Sequence, residues 1–178
     1  MSPPPYALLV AFLAFVALQR LAELVLSARN ARIVLARGAR EFGREHFRWF
    51  VLIHILFPIA LVAEVVFLGT RPGPWAPLWV AAWVAAQFLR LAAIRALGDR
   101  WNVRILVLPG VPLVTRGPYR WLRHPNYVAV MIESVAAPLM FGAWRTAIAF
   151  AVANALALRV RIGCENHALT AARPARTA

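Results

Sequence analysis

Residues 108–127 read LPGVPLVTRGPYRWLRHPNY, a stretch dense in Pro, Gly, Arg and aromatic residues together. Its prolines, Pro109, Pro112, Pro118 and Pro125, each fix φ and remove a backbone donor, so the stretch is predicted to be a rigid, shaped loop. A flexible linker would instead be rich in Ser or Gly and free of hydrophobic anchors. Apolar runs flank the loop on both sides, three before it and two after it. The loop is therefore predicted to join membrane spans.

The composition of the whole chain indicates a membrane protein. Of its 178 residues 62% are hydrophobic and 15% are charged, with a mean hydropathy of +0.66, whereas a soluble domain is about half apolar and about one quarter charged. The net charge is +13, and all 20 basic residues are Arg. These arginines cluster between apolar runs instead of on one soluble face, which favours membrane topology over nucleic-acid binding. The lone Cys164 excludes an intramolecular disulfide and a Cys-based metal cluster.

Five apolar runs are candidates for crossing a hydrocarbon core of about 30 Å. They cover residues 6–26, 49–68, 75–97, 126–141 and 144–160. The first run lacks the basic start and the cleavage site of a signal peptide, so it is interpreted as a retained span. The last two are shorter than a straight crossing requires, and tilt or partial re-entry is expected.

The distribution of arginine predicts the orientation. The segments 27–48 and 98–125 and the tail after residue 159 hold most of the arginines, and the turns at 69–74 and 142–145 hold few. An N-terminus outside and a C-terminus inside satisfy the positive-inside rule at every loop. The prediction is an all-α, multi-pass integral membrane protein of one domain, 1–178, with about five transmembrane helices. Its functional loop and C-terminal helix would face the cytoplasm, in the plasma (inner) membrane if the source is bacterial. The 27–48 segment is interpreted as a polar helical loop, and the Ala/Arg-rich end of the tail as disordered.

The end of the proline-rich loop has the chemistry of a binding site. His124 precedes a proline and is therefore biased toward extended geometry, which aims its ring away from a helix face. Pro125 and Asn126 are predicted to start a helix whose free N–H groups attract negative charge. Tyr119 and Tyr127 supply planar faces and hydroxyls that suit an adenine or a sulfonium. A membrane-surface loop held by aromatic anchors is the alternative interpretation.

A second candidate lies at the end of the fifth run, where Arg161 and Glu165 share one helix face. An ionisable pair at membrane depth predicts a functional site, and the alternative is an interfacial i, i+4 salt bridge. Arg20 and Glu23, near the end of the first run, are interpreted as an interfacial pair. Glu133, two turns into the fourth run, is placed within reach of Arg161 or Arg159, and Glu64 at the far interface.

The motif RGPYRWLRHPNY, followed downstream by Arg161-Ile162-x-x-Glu165, resembles the isoprenylcysteine carboxyl methyltransferase family of integral membrane enzymes. The resemblance covers roughly residues 98–170. It implies S-adenosylmethionine as the cofactor, with Arg161 on the substrate side of the site and Glu165 on the cofactor side. The cofactor contacts it implies are Val111, Pro112, Leu113, Val114, Tyr119, His124, Pro125, Asn126, Tyr127 and Glu165.

Two positions depart from the pattern of that family. Ala129 stands where the family usually has Gly, and Asn166 replaces the second Glu of R-I-x-x-E-E. The methyl acceptor implied is lipophilic: an isoprenylcysteine-type carboxylate, or the hydroxyl of an alkylpyrone or phenolic lipid. The latter follows from similarity to bacterial members associated with type III polyketide synthases, which also implies a functional link to such a synthase.

Other functions remain open from the sequence. Phospholipid N-methyltransferases share a similar motif, and so do membrane sterol reductases, which use NADPH. A non-enzymatic scaffold in the membrane is a third possibility. A metal or haem site is not expected, because the four histidines lack ligand spacing.

Overall fold

Helices form most of residues 6–172, the part of the chain that this computed structural model describes. The helices are α1 (Ala7–Ala36), α2 (Arg44–Phe67), α3 (Ala76–Leu97), α4 (Pro125–Met140) and α5 (Trp144–Ala171). Within these residues α1, α2, α3 and α5 are each long and apolar enough to span a membrane. The all-α membrane architecture is therefore confirmed. The end of the tail predicted to be disordered lies outside the described residues.

Three helices are longer than their apolar runs: α1, α5 and, by a smaller margin, α2, which has 24 residues and begins at Arg44. α1 has 30 residues and continues through half of the segment interpreted as a separate polar loop. α5 has 28 residues and carries Arg161 and Glu165 on its last turns, so the expectation of a short fifth span was wrong. α4 is short as predicted: its 16 residues extend about 24 Å at a rise of ~1.5 Å per residue. Polar side chains with specific partners explain the longer helices, since they allow a helix to leave the apolar layer.

The outward faces of the helices are apolar. Large hydrophobic side chains remain exposed along α1, α2 and α3, among them Leu18 at 69%, Phe67 at 83% and Phe88 at 68%. Such a surface would aggregate in water but matches lipid, where helices satisfy their own backbone hydrogen bonds. The interior is built from small side chains, including Ala86, Ala93 and Ala129, which allow the helices to approach closely.

At the arginine-poor end of the bundle, a carboxylate near the end of α2 binds the first turn of α5. Glu64 is buried and accepts hydrogen bonds from the backbone N–H groups of Arg145 (3.1 Å) and Thr146 (2.6 Å) and from the Thr146 hydroxyl (2.6 Å). These N–H groups lie in the first turn of α5, where no helical carbonyl is available to them. Glu64, expected at the far interface, lies near the end of α2 and caps the first turn of α5.

A glycine makes the same end compact. Gly142 has φ +73° between α4 and α5, and a Cβ there would lie 2.1 Å from the backbone oxygen of Arg71. Only glycine permits both this conformation and this close approach. The turns at 69–74 and 141–143 consequently lie at one end, as alternating spans require.

The arginine-rich segments meet at the opposite end. Ser27 and Asn30, both buried on the extension of α1, hydrogen-bond to residues 98–103, which follow α3. There β1 (Arg40–Phe42) and β2 (Ile105–Val107) form a small antiparallel sheet in which Glu41 pairs with Leu106. This sheet was not predicted, because three-residue strands carry little periodic signal. The last turns of α5 pack on the sheet through Ala168, Ile105 and Val107. The polar end is thus assembled from loops predicted to share one side of the membrane.

Candidate active site

The turn that joins the proline-rich loop to α4 places two aromatic rings together. His124 is the residue before α4 (φ −132°, ψ 63°), and α4 begins at Pro125, as predicted. The backbone N–H of Tyr127 donates to the carbonyl of His124 (3.0 Å), which folds the turn back on itself. The two rings stack with their centroids 5.2 Å apart at 17°. The turn therefore presents one planar aromatic platform at the polar end of the bundle.

A chain of hydrogen bonds links this platform to α5. The Tyr127 hydroxyl donates to Oε2 of Glu165 and accepts from Nε of Arg161 at 2.9 Å. The sequence offered a direct Arg161–Glu165 salt bridge as one interpretation, but the phenol hydroxyl lies between the two side chains instead. Nδ1 of His124 is 3.8 Å from the same Oε2 atom of Glu165. The four side chains form one unit, hereafter the outer cluster: His124, Tyr127, Arg161 and Glu165.

Arg161 is buried within this cluster and held in a fixed plane. Its side chain donates through Nη2 to the carbonyl of Val103 at 2.5 Å. Its guanidinium carbon is 5.2 Å from the centre of the Phe50 ring and 5.8 Å from that of Tyr127. Contact with two aromatic rings restricts the rotation of the guanidinium plane. Among the residues described, its hydrogen bonds use Nε and Nη2, and Nη1 has no partner there.

Asn166, where the family pattern has a second Glu, lies on the rim of the outer cluster. Its Oδ1 is 3.2 Å from Nε2 of His124. The amide oxygen can accept a hydrogen bond from that nitrogen without adding a negative charge, so the outer cluster has one carboxylate, Glu165. Ala129, the other departure, is fully buried and leaves room for close helix packing.

Tyr119 is half-buried in the loop before α4, near the carboxylate of Glu165 in the outer cluster. Burial, and secondarily the negative charge of Glu165, raise the pKa of the Tyr119 phenol well above its usual value. The phenol therefore stays neutral near pH 7 and can donate a hydrogen bond but cannot act as a base.

The remaining predicted cofactor residues have varied surroundings. Val111, Pro112 and Leu113 are exposed, and the carbonyl of Pro112 accepts from Nη1 of Arg100 (2.8 Å). Pro125 is fully buried at the first position of α4. The side-chain oxygen of Asn126 accepts a hydrogen bond from Nη1 of Arg90, inside the bundle. Val114 is half-buried in the same irregular segment as Val111. A cofactor role for these residues stays a prediction.

A second polar group lies deeper in the bundle and contains two positive and two negative side chains, so its net charge is zero. Glu133 accepts from Nε and Nη2 of Arg90 (3.0 and 2.5 Å) and from Nη2 of Arg20 (2.6 Å), and Arg20 also pairs with Glu23 (2.6 Å). These residues, hereafter the inner network, are Arg20, Glu23, Arg90 and Glu133. Gln19 and Gln87 complete its hydrogen bonds. The expected contact of Glu133 with Arg161 or Arg159 was wrong, and the Arg20–Glu23 pair is not confined to an interface.

Sequence reasoning missed Phe50, the carbonyl of Val103 and the role of Arg90. Charged residues in an apolar helix are expected to find partners. This rule could have predicted that Arg90 and Glu133, each in an apolar run, pair with other charged side chains. Nothing in the sequence marks Phe50, since an aromatic residue at the start of a span is ordinary. Among the described residues no group of three or more His, Cys, Asp or Glu side chains could hold a metal ion.

The apolar helices, with the outer cluster at the polar end of the bundle, define a multi-pass membrane protein. The family model described as "Isoprenylcysteine carboxyl methyltransferase (ICMT) family" matches residues 79–171, more than half of the chain, and the chain belongs to this family. The matched residues contain the whole outer cluster and two members of the inner network, Arg90 and Glu133. The other two members, Arg20 and Glu23, lie in α1 outside the match. Family membership and the apolar helices together support a membrane methyltransferase.

Curated relatives cover most of the chain. The uncharacterized protein YpbQ of Bacillus subtilis is 40% identical over 157 residues, 88% of this chain and 94% of the relative. An uncharacterized protein of Haemophilus influenzae is 26% identical over 152 residues, 85% of this chain and 88% of its own. Protein-S-isoprenylcysteine O-methyltransferase B of Arabidopsis thaliana is 31% identical over 132 residues, 70% of this chain and 64% of its own. No solved structure matches the chain significantly.

Proposed function

We propose that this protein transfers a methyl group from S-adenosylmethionine to an oxygen atom of a lipophilic acceptor. The observation that carries the proposal is the hydrogen-bonded series Arg161–Tyr127–Glu165, with His124 stacked on Tyr127, where the apolar helices meet the polar loops. A water-soluble donor and a lipid can both reach such a boundary. S-adenosylmethionine supplies a sulfonium methyl that an oxygen nucleophile displaces in line.

The outer cluster fits the donor by its chemistry. Glu165 keeps Oε1 free of hydrogen bonds to the described residues, and its side chain is 27% exposed. A carboxylate in that position can accept hydrogen bonds from ribose hydroxyls or an ammonium group. The stacked rings of His124 and Tyr127 offer a face to adenine or to the sulfonium charge. These residues would bind and orient the donor.

Arg161 would hold the acceptor. Its Nη1 group is directed by two other hydrogen bonds and two aromatic contacts, so little rotational freedom is lost when an oxyanion binds. A carboxylate acceptor requires no base. A phenol or enol is weakly ionised, and the nearby guanidinium would lower its pKa, with Glu165 able to accept the proton. Isoprenylcysteine-type carboxylates and alkylpyrone or phenolic hydroxyls both fit this requirement.

Placement accounts for the rate in this proposal. Methyl transfer needs the acceptor oxygen at about 3–3.5 Å from the methyl carbon and in line with the breaking bond. The lipid tail would remain among the exposed apolar side chains of α2, near Phe50, while its oxygen reaches Arg161. The functional link to a type III polyketide synthase, as a source of such lipids, stays a prediction.

The test supplies methyl-labelled S-adenosylmethionine to the purified protein in lipid, together with a prenylcysteine, an alkylpyrone and a phospholipid. We expect label in the prenylcysteine or the alkylpyrone. Arg161→Lys should lower the transfer rate by on the order of 10²-fold, because a lysine cannot reproduce the directed guanidinium. Arg159→Lys, an exposed neighbour on the same helix, is the matched control and should leave the rate unchanged.

Two results would contradict the proposal. Label in the phospholipid alone would make the protein an N-methyltransferase. Binding of NADPH in preference to S-adenosylhomocysteine would favour a reductase, for which one observation speaks: a cleft of about 550 Å³ is lined by Arg37, Arg100 and Arg116, together with Asp99, which pairs with Arg37. Three guanidinium groups against one carboxylate leave a net positive charge that suits the extra phosphates of that cofactor.

A further inference from the structure

Arg90 connects the inner network to the turn that carries the outer cluster. Its side chain is 4% exposed, and two of its nitrogens, Nε and Nη2, form a fork on the Glu133 carboxylate. The third nitrogen, Nη1, donates to Oδ1 of Asn126 at 3.2 Å. Asn126 is the second residue of α4 and lies between His124 and Tyr127 in the sequence. One buried guanidinium thus spans from the bundle interior to the first turn of α4.

The fork gives this contact its direction. A planar guanidinium bound through two nitrogens to one carboxylate cannot rotate, so its third nitrogen points to a fixed place. Asn126 accepts there, and the turn that follows is closed by Tyr127 N–H and Val128 N–H, both donating to the carbonyl of His124 (3.0 and 3.2 Å). A displacement of Asn126 would move both aromatic rings of the outer cluster, because the turn is short and internally bonded.

Arg20 provides a contrast within the same network. Like Arg90, it binds Glu133 (2.6 Å), and it binds Glu23 at the same distance. Among the described residues it forms no hydrogen bond with Asn126. The two arginines therefore share carboxylates and differ in their reach toward α4.

We propose that Arg90 is a positioning residue, which sets the first turn of α4 and through it the placement of His124 and Tyr127. Its effect on ligand binding rests on the proposed function, whereas its effect on the turn does not. Arg90 touches no ligand in this proposal.

The first experiment measures amide hydrogen exchange of Tyr127 and Val128 in the full-length protein in lipid nanodiscs. We expect Arg90→Lys to speed exchange at these two amides by on the order of tenfold, since a charge-assisted hydrogen bond is lost. Arg20→Lys is the matched control: it should change exchange around residue 20 and leave these two amides within about twofold. Equal effects of the two variants on the turn would overturn the proposal.

The second experiment keeps Arg90 and removes its acceptor. Asn126→Ala leaves the Arg90–Glu133 pair intact and should speed exchange at the same amides, and Arg90→Lys added to it should have no further effect there. Asn126→Asp retains an acceptor oxygen and should restore protection to within about twofold of the original protein. Additive effects of Arg90→Lys and Asn126→Ala would mean that Arg90 acts only by general stability, which would overturn the proposal.

Affinity for S-adenosylhomocysteine, measured by calorimetry on the same variants, connects the turn to function. We expect binding on the order of tenfold weaker for Arg90→Lys and unchanged for Arg20→Lys. If the original protein binds no S-adenosylhomocysteine, the proposed function fails, and the exchange data still decide the role of Arg90.

Discussion

The inner network and the outer cluster combine similar residue types in different ways. In the inner network two arginines meet two carboxylates: the side chains of Arg90 and Glu133 are 4% and 10% exposed, and Arg20, 28% exposed, has both nitrogens Nη1 and Nη2 on carboxylates. In the outer cluster one arginine and one carboxylate are separated by a phenol, and Glu165 is 27% exposed. The first group satisfies its charges internally. The second retains free hydrogen-bonding atoms at an accessible surface, which is what a ligand site requires.

The largest expected effect tests the closed character of the inner network. Glu133→Ala leaves Arg90 and Arg20 without their shared carboxylate in an apolar layer, and we expect a loss of about 3–5 kcal/mol in the free energy of unfolding. Denaturant unfolding in mixed micelles, followed by tryptophan fluorescence, measures it.

The control for this prediction is Glu45→Ala, which removes an exposed carboxylate near the start of α2 and should cost little. If both variants lost the same stability, the inner network would have no special energetic role. The double substitution Arg90→Leu with Glu133→Leu should recover most of the loss, because it removes charge and partner together.

A smaller effect tests the open character of the outer cluster. Tyr127→Phe keeps the stacked ring but removes the hydroxyl that joins Arg161 to Glu165. We expect methyl transfer to fall by on the order of tenfold, since both flanking side chains lose a fixed partner. The melting temperature should change by at most a few degrees, because water can solvate this partly open site.

Rate and stability measured on one preparation separate the two outcomes. A large fall in melting temperature without a change in rate would place the outer cluster with the inner network as a structural element. Tyr6→Phe removes an exposed hydroxyl just before α1, outside the outer cluster, and serves as the comparison.

The smallest effect concerns Glu64, a buried carboxylate whose partners are neutral. Glu64→Gln keeps one acceptor oxygen for the first turn of α5 but removes the charge that the helix N-terminus favours. We expect a loss of about 0.5–1 kcal/mol in unfolding free energy. Methyl transfer should be unaffected at the opposite end of the bundle, and a loss of activity equal to that of Tyr127→Phe would contradict this separation. Thermal unfolding and a rate assay in nanodiscs check both points.

Sequence patterns predicted the apolar helices and the loop between α3 and α4, because both follow from local chemistry. Of the five predicted spans, four in the described part of the chain are long and apolar enough to cross a membrane, and α4 is not among them. Long apolar runs indicate membrane helices whatever their neighbours, and Pro125 marks the start of α4 because proline suits a first helical position. The helix ends at Ala36 and Ala171 were missed, since they depend on partners elsewhere. Ser27 and Asn30 extend α1 only because residues 98–103 offer them carbonyls and amides.

The residue pattern is enough to identify a membrane protein of several apolar helices with a proline-rich polar loop, and the motif in that loop indicates its family. Which charges meet depends on how the helices pack. Glu133 could have paired with any nearby arginine, and the packing of α3 against α4 selected Arg90, while the side chain of Arg20 reaches Glu133 from α1. The Tyr127 hydroxyl likewise separates Arg161 from Glu165, which a helical spacing of four residues cannot show. Hydropathy is a property of each segment, whereas charge pairing depends on the distances between segments.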